Sequence, residues 1–308
     1  MAPETDPIDV TVVTVTWNSR AVIGDFLESL PAALGTLNWR LVLADNASND
    51  DTVEIARAIL PGATYVQLGW NAGYAAGINA AVDAAEPGTH LLVANPDVIL
   101  EPAAGERLLS VLGQGRVGIA VPQLRDSHGA LTYSLRRDPT VLRALGEAVV
   151  GGDRAGRWAP FGETVTAPGP YGQAGDVDWA SGAILAISRQ CAARLGRWDE
   201  TMWLYSEETD YCLRARDAGF TVRYVPEARA VHIGGESGES PMLWTALTVN
   251  RVRLFERRHS PVHTAAFRAA VTLNEGLRAL AGRATSRAAF RTLTRSRRLV
   301  PPGPPQVT

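Results

Sequence analysis

The stretch HLLVANPDVIL, residues 90–100, sets a carboxylate in a telling place. A short apolar run ends in Asn95-Pro96-Asp97, and the apolar character then resumes. A buried strand stopping there puts Asp97 at its C-terminal tip, the edge of an open α/β sheet where ligands bind. Carboxylate oxygens offered singly or in pairs suit Mg²⁺ or Mn²⁺ held against a diphosphate. An Asp after an apolar run also starts ordinary turns. Its weight comes from partners elsewhere: Asp45, the cluster Glu207-Glu208-Thr209-Asp210, and His232.

Each partner has two readings. Asp45 closes the run LVLAD. A carboxylate there can accept a hydrogen bond from N3–H of uracil or thymine, or it can cap the next helix. In NAGYAAGIN, Gly73 and Gly77 are four apart and share a helix face. They permit close approach of a ligand or of neighbouring backbone; the spacing is not the dinucleotide fingerprint. Glu207 and Glu208 open an amphipathic helix, where the helix dipole favours acidic residues. Two adjacent carboxylates beneath a nucleotide site can also supply a general base. His232, ahead of Ile233-Gly234-Gly235, is either a structural imidazole or a neutral ligand completing a metal–diphosphate site.

These residues need elements to position them. Strands are expected at 10–16, 40–44, 64–68 and 90–94. Helices fall between them: one with apolar positions 22, 23, 26, 27 and 30, closed by Pro31, then 52–60 and 71–85. That alternation implies a parallel sheet with right-handed crossovers. A helix at 103–112 and a strand at 117–121 follow. Residues 125–178 are rich in Gly, Pro and Arg and read as a long loop region with a helix near 140–149. Beyond it come a strand at 183–187, helices at 189–195 and 207–218, a strand at 222–225 and a short one at 230–232. Ser240-Pro241 has the form of a helix start, and most of the chain from there to 298 reads as helix.

The chain has 308 residues, 46% of them hydrophobic, which is enough for a sizeable core. All 30 basic residues are Arg, which excludes Schiff-base chemistry and a P-loop lysine. Residues 1–250 carry 18 Arg against 30 acidic residues; residues 251–298 carry 12 Arg against Glu256 and Glu275. Two cysteines, Cys191 and Cys212, make neither a disulfide framework nor a metal motif, and fit a reducing, cytoplasmic setting. The acidic, Pro-containing start is unlike a signal peptide, and no apolar segment reaches transmembrane length.

The motifs VTVTWNS, LADNASND, NAGYAAGIN, ANPD, WASGAIL, YSEETDYCLRARDAGF and VHIGGES occur in order. Together they resemble the family 2 glycosyltransferases, in the bacterial rhamnosyltransferase-like branch. The resemblance implies an inverting, metal-dependent enzyme of the GT-A fold: an α/β, mostly parallel sheet flanked by helices, with a C-terminal helical extension. The resemblance covers about residues 8–240, so 1–240 reads as the catalytic domain; from the residues themselves, 241–300 reads as an amphipathic, Arg-rich helical region and 301–308 as a Pro-rich tail. It implies that Asp97 and His232 hold Mg²⁺ or Mn²⁺, and that Glu208 or Glu207 is the base. Thr16, Asn18, Asp45, Asn71, Gly73, Asn79 and Asn95 would bind the nucleotide sugar. Trp179, Ser181, Gly182 and Asp210 would face sugar and acceptor.

The sequence departs from the family pattern twice. Asn95 stands where the first acid of Asp-x-Asp is usual, and Glu208 where an Asp is usual. The longer side chain moves the carboxylate by about 1–1.5 Å, so Glu207 and Glu208 both stay candidates. The implied partners are a dTDP- or UDP-linked sugar, with dTDP-L-rhamnose first, and a saccharide or polyprenyl-linked acceptor. A catalytically impaired nucleotide-sugar-binding scaffold and a sugar-1-phosphate nucleotidyltransferase are the alternatives. The basic C-terminus fits an anionic membrane surface, with peripheral attachment at the inner face of the membrane, rather than nucleic acid. Arg283, Arg287, Arg291 and Arg295 would form a row there. Phe290 and Leu293 would enter the headgroup boundary, and Trp244, Leu247, Phe255, Phe267, Val271 and Leu277 would add apolar surface, some of it packed on the catalytic domain.

Overall fold

The computed structural model describes residues 9–234, 240–295 and 299–300. The acidic N-terminal segment, residues 235–237 of the VHIGGES motif, Arg297, Arg298 and the Pro-rich tail 301–308 lie outside the described residues.

The first half alternates as its pattern demands: β1 (Val10–Thr16), α1 (Ile23–Leu34), β2 (Trp39–Asp45), α2 (Thr52–Ile59), β3 (Thr64–Gln67), α3 (Tyr74–Asp83) and β4 (His90–Ala94). β1 pairs in parallel with β2 and β4, and β2 with β3. α1 does not close at Pro31 but continues to Leu34. Pro31 forfeits one helical hydrogen bond, yet its carbonyl still accepts the Gly35 N–H at 3.0 Å. Full burial of Ala33 and Leu34 offsets the loss.

The chain then forms β5 (Val98–Leu100), α4 (Ala104–Ser110) and β6 (Val117–Arg125). Residues 125–178 are more ordered than a loop: they hold β7 (Leu135–Arg136), α5 (Val141–Val150), α6 (Gly152–Ala155) and β8 (Gly175–Val177). Next come β9 (Trp179–Ala180), β10 (Ile184–Ile187), α7 (Arg189–Leu195), α8 (Glu207–Asp217) and β11 (Thr221–His232). The two strands expected within β11 are one strand whose register shifts between Val225 and Arg229. Pro226 lies in that shift and has no N–H to give the ladder. The main sheet runs β3-β2-β1-β4-β10-β6-β11-β5, with β8 on β11. It is mixed: β10 runs antiparallel to both β4 and β6, and β11 parallel to β6. β7 and β9 form a separate two-stranded sheet.

Both faces of the sheet are covered, which is why its strands are nearly continuously apolar. Leu41 and Leu43 point into a core with Phe26, Leu27 and Leu30 of α1. Val42 and Ala44 point into a second core with Ile78 of α3 and Tyr211 of α8. Period-two alternation divides β2 between the layers.

Three helices finish the chain: α9 (Pro241–Arg258), α10 (Pro261–Leu280) and α11 (Ala284–Arg295). Ser240 caps α9 by accepting the Leu243 N–H at 3.3 Å. Leu293, expected at a membrane boundary, and Phe255, Phe267 and Val271, part of an apolar surface of which some was expected to pack on the catalytic domain, form a third core with Ala144 of α5. The helices pack on one another and on α5, so those apolar positions face protein. Among the described residues no helix is long and apolar enough to cross a membrane.

Candidate active site

The C-terminal ends of β1, β2 and β4 and the start of β10 share one edge of the sheet. There Thr16 donates its hydroxyl to Asp45 Oδ1 at 2.8 Å. Ser48 gives Asp45 its hydroxyl at 2.6 Å and its N–H, to Oδ2, at 2.9 Å. Asp45 is only 1% exposed, and both its oxygens already accept hydrogen bonds within the protein. Asn18, in a left-handed conformation with φ 51°, accepts the Asn49 N–H at 2.8 Å and braces the same loop. Asn46, not singled out by the sequence, donates to the Gly73 carbonyl at 3.2 Å and accepts the Ala72 N–H at 3.1 Å. It joins β2 to the Asn71 loop, where Asn71 Oδ1 accepts Trp203 Nε1–H at 3.2 Å.

Asp97 ends the short turn Asn95-Pro96-Asp97 between β4 and β5. The Asn95 N–H donates to the Ala183 carbonyl at 2.9 Å, which fixes the turn against β10. β11 delivers His232 to the same point, with Nε2 3.3 Å from Asp97 Oδ2. The chain then wraps the carboxylate: Ile233 N–H reaches the Asp97 carbonyl at 3.0 Å and Gly234 N–H reaches Oδ2 at 3.1 Å. Burial works to raise the Asp97 pKa. The hydrogen bond and charge of His232, with the Gly234 N–H, outweigh it and hold the carboxyl below its ordinary value. Asp97 Oδ1 is buried with no hydrogen-bond partner among the described residues. Among the described residues no group of three or more His, Cys, Asp or Glu could hold a metal ion alone. Asp97 and His232 are the described pair that could contribute to holding a cation, in company with further oxygens.

The acidic pair reaches this edge through a strained turn. Tyr205 and Ser206 both have positive φ, 69° and 74°. Such backbone costs about 1–3 kcal/mol per residue and persists only where neighbours enforce it. Asn250 of α9, fully buried, supplies the restraint by donating to the carbonyls of Leu204 (2.9 Å) and Tyr205 (3.3 Å). α8 then starts at Glu207. Glu208 lies across Gly182: a Cβ at 182 would stand 2.9 Å from Glu208 Cβ and 3.0 Å from its Cγ. Ser181, next to it, donates its N–H to the Ser134 carbonyl at 2.9 Å. Trp179, cross-strand from Arg136, donates its indole N–H to the Arg137 carbonyl at 3.0 Å.

Burial, then the charge of Glu208, pushes the Glu207 carboxyl well above the ordinary value of 4.5. Glu208 is raised too, again by burial, but backbone N–H groups at the helix start and the Arg136 guanidinium pull it back. Tyr74 at the start of α3 completes the cluster. Its phenol is raised well above the ordinary value of 10.0 by burial and by Glu207, Glu208 and Asp97.

Five of the eight buried side-chain oxygens lacking a partner among the described residues belong here: Tyr74 Oη, Asp97 Oδ1, Ser134 Oγ, Glu207 Oε2 and Glu208 Oε2. An unpaired buried polar atom costs about 1–3 kcal/mol, so such a concentration marks a place prepared for a ligand. Sequence reasoning passed over Tyr74 and Arg136. Tyr74 sat inside NAGYAAGIN, a motif read for its glycines. Arg136 sat in a stretch with no periodicity.

Two expected site residues are not brought to this cluster. Asn79 is 2% exposed, and its amide donates to the Trp198 carbonyl and Glu200 and accepts the Trp198 N–H. Asp210 pairs with Arg214 at 2.6 Å, which in turn holds the Leu195 and Arg197 carbonyls. The two glycines serve protein packing: a Cβ on Gly73 would meet the Trp203 carbonyl at 2.2 Å, and one on Gly77 would meet Val15 at 2.4 Å.

A model of glycosyl transferase family 2 matches residues 11–161. The N-acetylglucosaminyl-diphospho-decaprenol L-rhamnosyltransferase of Mycobacterium tuberculosis is 31% identical over 241 residues, covering 72% of this chain and 75% of that protein. This chain belongs to glycosyl transferase family 2. It is therefore a sugar-transferring enzyme. Rhamnosyltransferase WbbL of Escherichia coli K12 is 24% identical over 155 residues, 49% of this chain and 54% of that protein. In fold, the chain is similar to the mannosyltransferase PcManGT from Pyrobaculum calidifontis, solved with GDP-Man and Mn²⁺. The TM-score is 0.56 at 16% identity, over 92% of this chain and 78% of that one. That likeness is of the GT-A fold.

Proposed function

We propose that this family 2 glycosyltransferase moves L-rhamnose from dTDP-L-rhamnose to a hydroxyl of a lipid-linked saccharide, with inversion at the anomeric carbon. The observation that carries the chemistry is the convergence of unpartnered carboxyl oxygens on Asp97, Glu207 and Glu208 around Tyr74. Support for the sugar and for the lipid-linked acceptor is the 31% identity to a relative named for both.

An inverting transfer is one displacement. The acceptor oxygen forms a bond to the anomeric carbon as the bond from that carbon to the diphosphate breaks. The acceptor's proton needs a base, as water does in inverting glycosidases. Glu208 is the better base of the pair. Burial raises both carboxyls, but Arg136 and backbone N–H groups draw Glu208 back, whereas the charge of Glu208 raises Glu207 further. Glu208 takes the proton and the nucleoside diphosphate leaves with the electron pair. Asp97 and His232 would hold Mg²⁺ or Mn²⁺, which neutralises charge on the diphosphate when bound. Trp179, with the Arg136 guanidinium 5.8 Å from its ring centroid, gives the acceptor side a flat apolar floor.

The test is a panel of nucleotide sugars, each assayed for metal-dependent transfer or hydrolysis. dTDP-L-rhamnose should be turned over in preference to UDP-hexoses. Preference for a UDP-hexose would overturn the sugar assignment, and turnover of none would favour a binding scaffold.

A further inference from the structure

Sixteen large apolar residues are exposed among the described residues, and eleven of them lie in α5, the segment through Phe161, α10 and α11. Trp158 is 55% exposed, Val149 74% and Leu280 86%. These elements form one body, since Ala144 of α5 shares a core with Phe267 and Val271 of α10 and Leu293 of α11. Between α10 and α11 runs a groove of about 840 Å³ lined by Leu273, Leu277, Leu280 and Phe290, with Arg268 and Arg287 also in its walls. Gly276 lets the helices close in: a Cβ there would stand 3.1 Å from the Phe290 ring.

The charge around this surface is mostly positive, with exposed Asp153 and Glu256 set against a larger number of Arg. Arg283, Arg287, Arg291 and Arg295 are all exposed, and Arg154 and Arg157 are exposed beside Trp158. Of the two acidic residues in 251–298, Glu275 is 2% exposed and accepts the Trp244 indole N–H, so it adds little negative potential outside. Apolar and aromatic side chains rimmed by Arg suit the boundary between lipid headgroups and acyl chains.

We infer that the exposed face of α10 and α11, with Trp158 and Phe161, docks on the surface of an anionic phospholipid bilayer. A second copy is the weaker occupant. A two-fold interface sets each patch against itself, which would bring the Arg row against an identical row. An anionic bilayer supplies the complement, at about fivefold in affinity for each Arg near the surface, ~1 kcal/mol apiece. The attachment is lateral, without a spanning helix.

The experiment is co-sedimentation of the full chain with phosphatidylcholine vesicles, with and without phosphatidylglycerol, at low and high salt. It needs neither donor nor acceptor, so its failure leaves the transferase reading standing. Wild type should bind only the anionic vesicles and release in high salt. R287E with R291E should weaken binding by at least about 25-fold, two Arg at fivefold each. Leu280→Asp, at a site already in water, should weaken it independently. Both variants should unfold at the wild-type temperature, which separates lost docking from lost fold. Equal binding to neutral vesicles, binding unchanged in the variants, or a dimer in size-exclusion that the variants dissolve would each overturn the proposal.

Discussion

Glu208 rests its methylenes on Gly182, with no room for a β-carbon between them. The contact links the start of α8 to the turn that enters β10, two elements far apart in sequence. Gly182 is therefore what allows an acidic side chain at 208 to lie along the sheet edge. Replacing it with Ala should displace the carboxylate by a few tenths of an ångström or more. A small misplacement of a reacting group costs up to about 10²-fold. Steady-state kinetics of Gly182→Ala should show kcat reduced about 10–100-fold with the donor KM nearly unchanged. Equal loss in a Glu208→Gln background would mean that the glycine acts through something else.

Glu207 yields a prediction about stability. Burial and Glu208 raise its folded pKa above the ordinary 4.5, so the unfolded chain releases its proton first as pH rises. The stabilisation is fully present below the unfolded value and is lost as pH rises through the folded one. Glu207→Gln removes that penalty. The variant should melt higher than wild type at neutral pH, and the gap should narrow as pH falls toward the ordinary glutamate value. Thermal melts across that range check both sign and trend.

Much of this arrangement was legible in the sequence, and the exceptions have physical causes. β1 was readable from its alternating, β-branched Val and Thr, and β2 and β4 from apolar runs leading to the polar residues Asp45 and Asn95. The direction of β10 was not, because four buried apolar residues encode a strand but not its polarity. Asn79 reads as a polar residue in a ligand-binding helix until the Trp198 backbone that consumes its amide is in view. Leu293 reads as a surface residue until α5 covers it. Contacts that join distant segments leave no periodicity, which is also why Tyr74, Arg136 and Asn250 went unmarked.

Asn250 holds the two strained residues before α8 by their preceding and own carbonyls. Asn250→Ala would leave both carbonyls without that donor and should destabilise the fold by about 1–3 kcal/mol. It should also lower kcat with little change in donor KM, since Glu207 and Glu208 follow directly. Asn250→Asp, isosteric but unable to donate, should behave like Ala; wild-type activity in the Asp variant would remove Asn250 from the account.

Asp97→Ala should abolish metal-dependent transfer, because loss of its charge removes several kcal/mol of stabilisation from the leaving diphosphate. Its thermal unfolding should stay cooperative. Titration of Mn²⁺ with dTDP present should show the wild type binding the pair and the variant failing to. A variant keeping more than about a tenth of wild-type activity would contradict the role of Asp97.

Whether Glu208 is the base of a direct displacement is decided by single-turnover transfer from dTDP-L-rhamnose by Glu208→Gln, beside Glu207→Gln. The rate in Glu208→Gln should fall by about 10²–10⁴, the range for a general base, with donor affinity kept and Glu207→Gln affected far less. A Glu208→Gln rate close to wild type, or the reverse ranking of the two variants, would contradict that role.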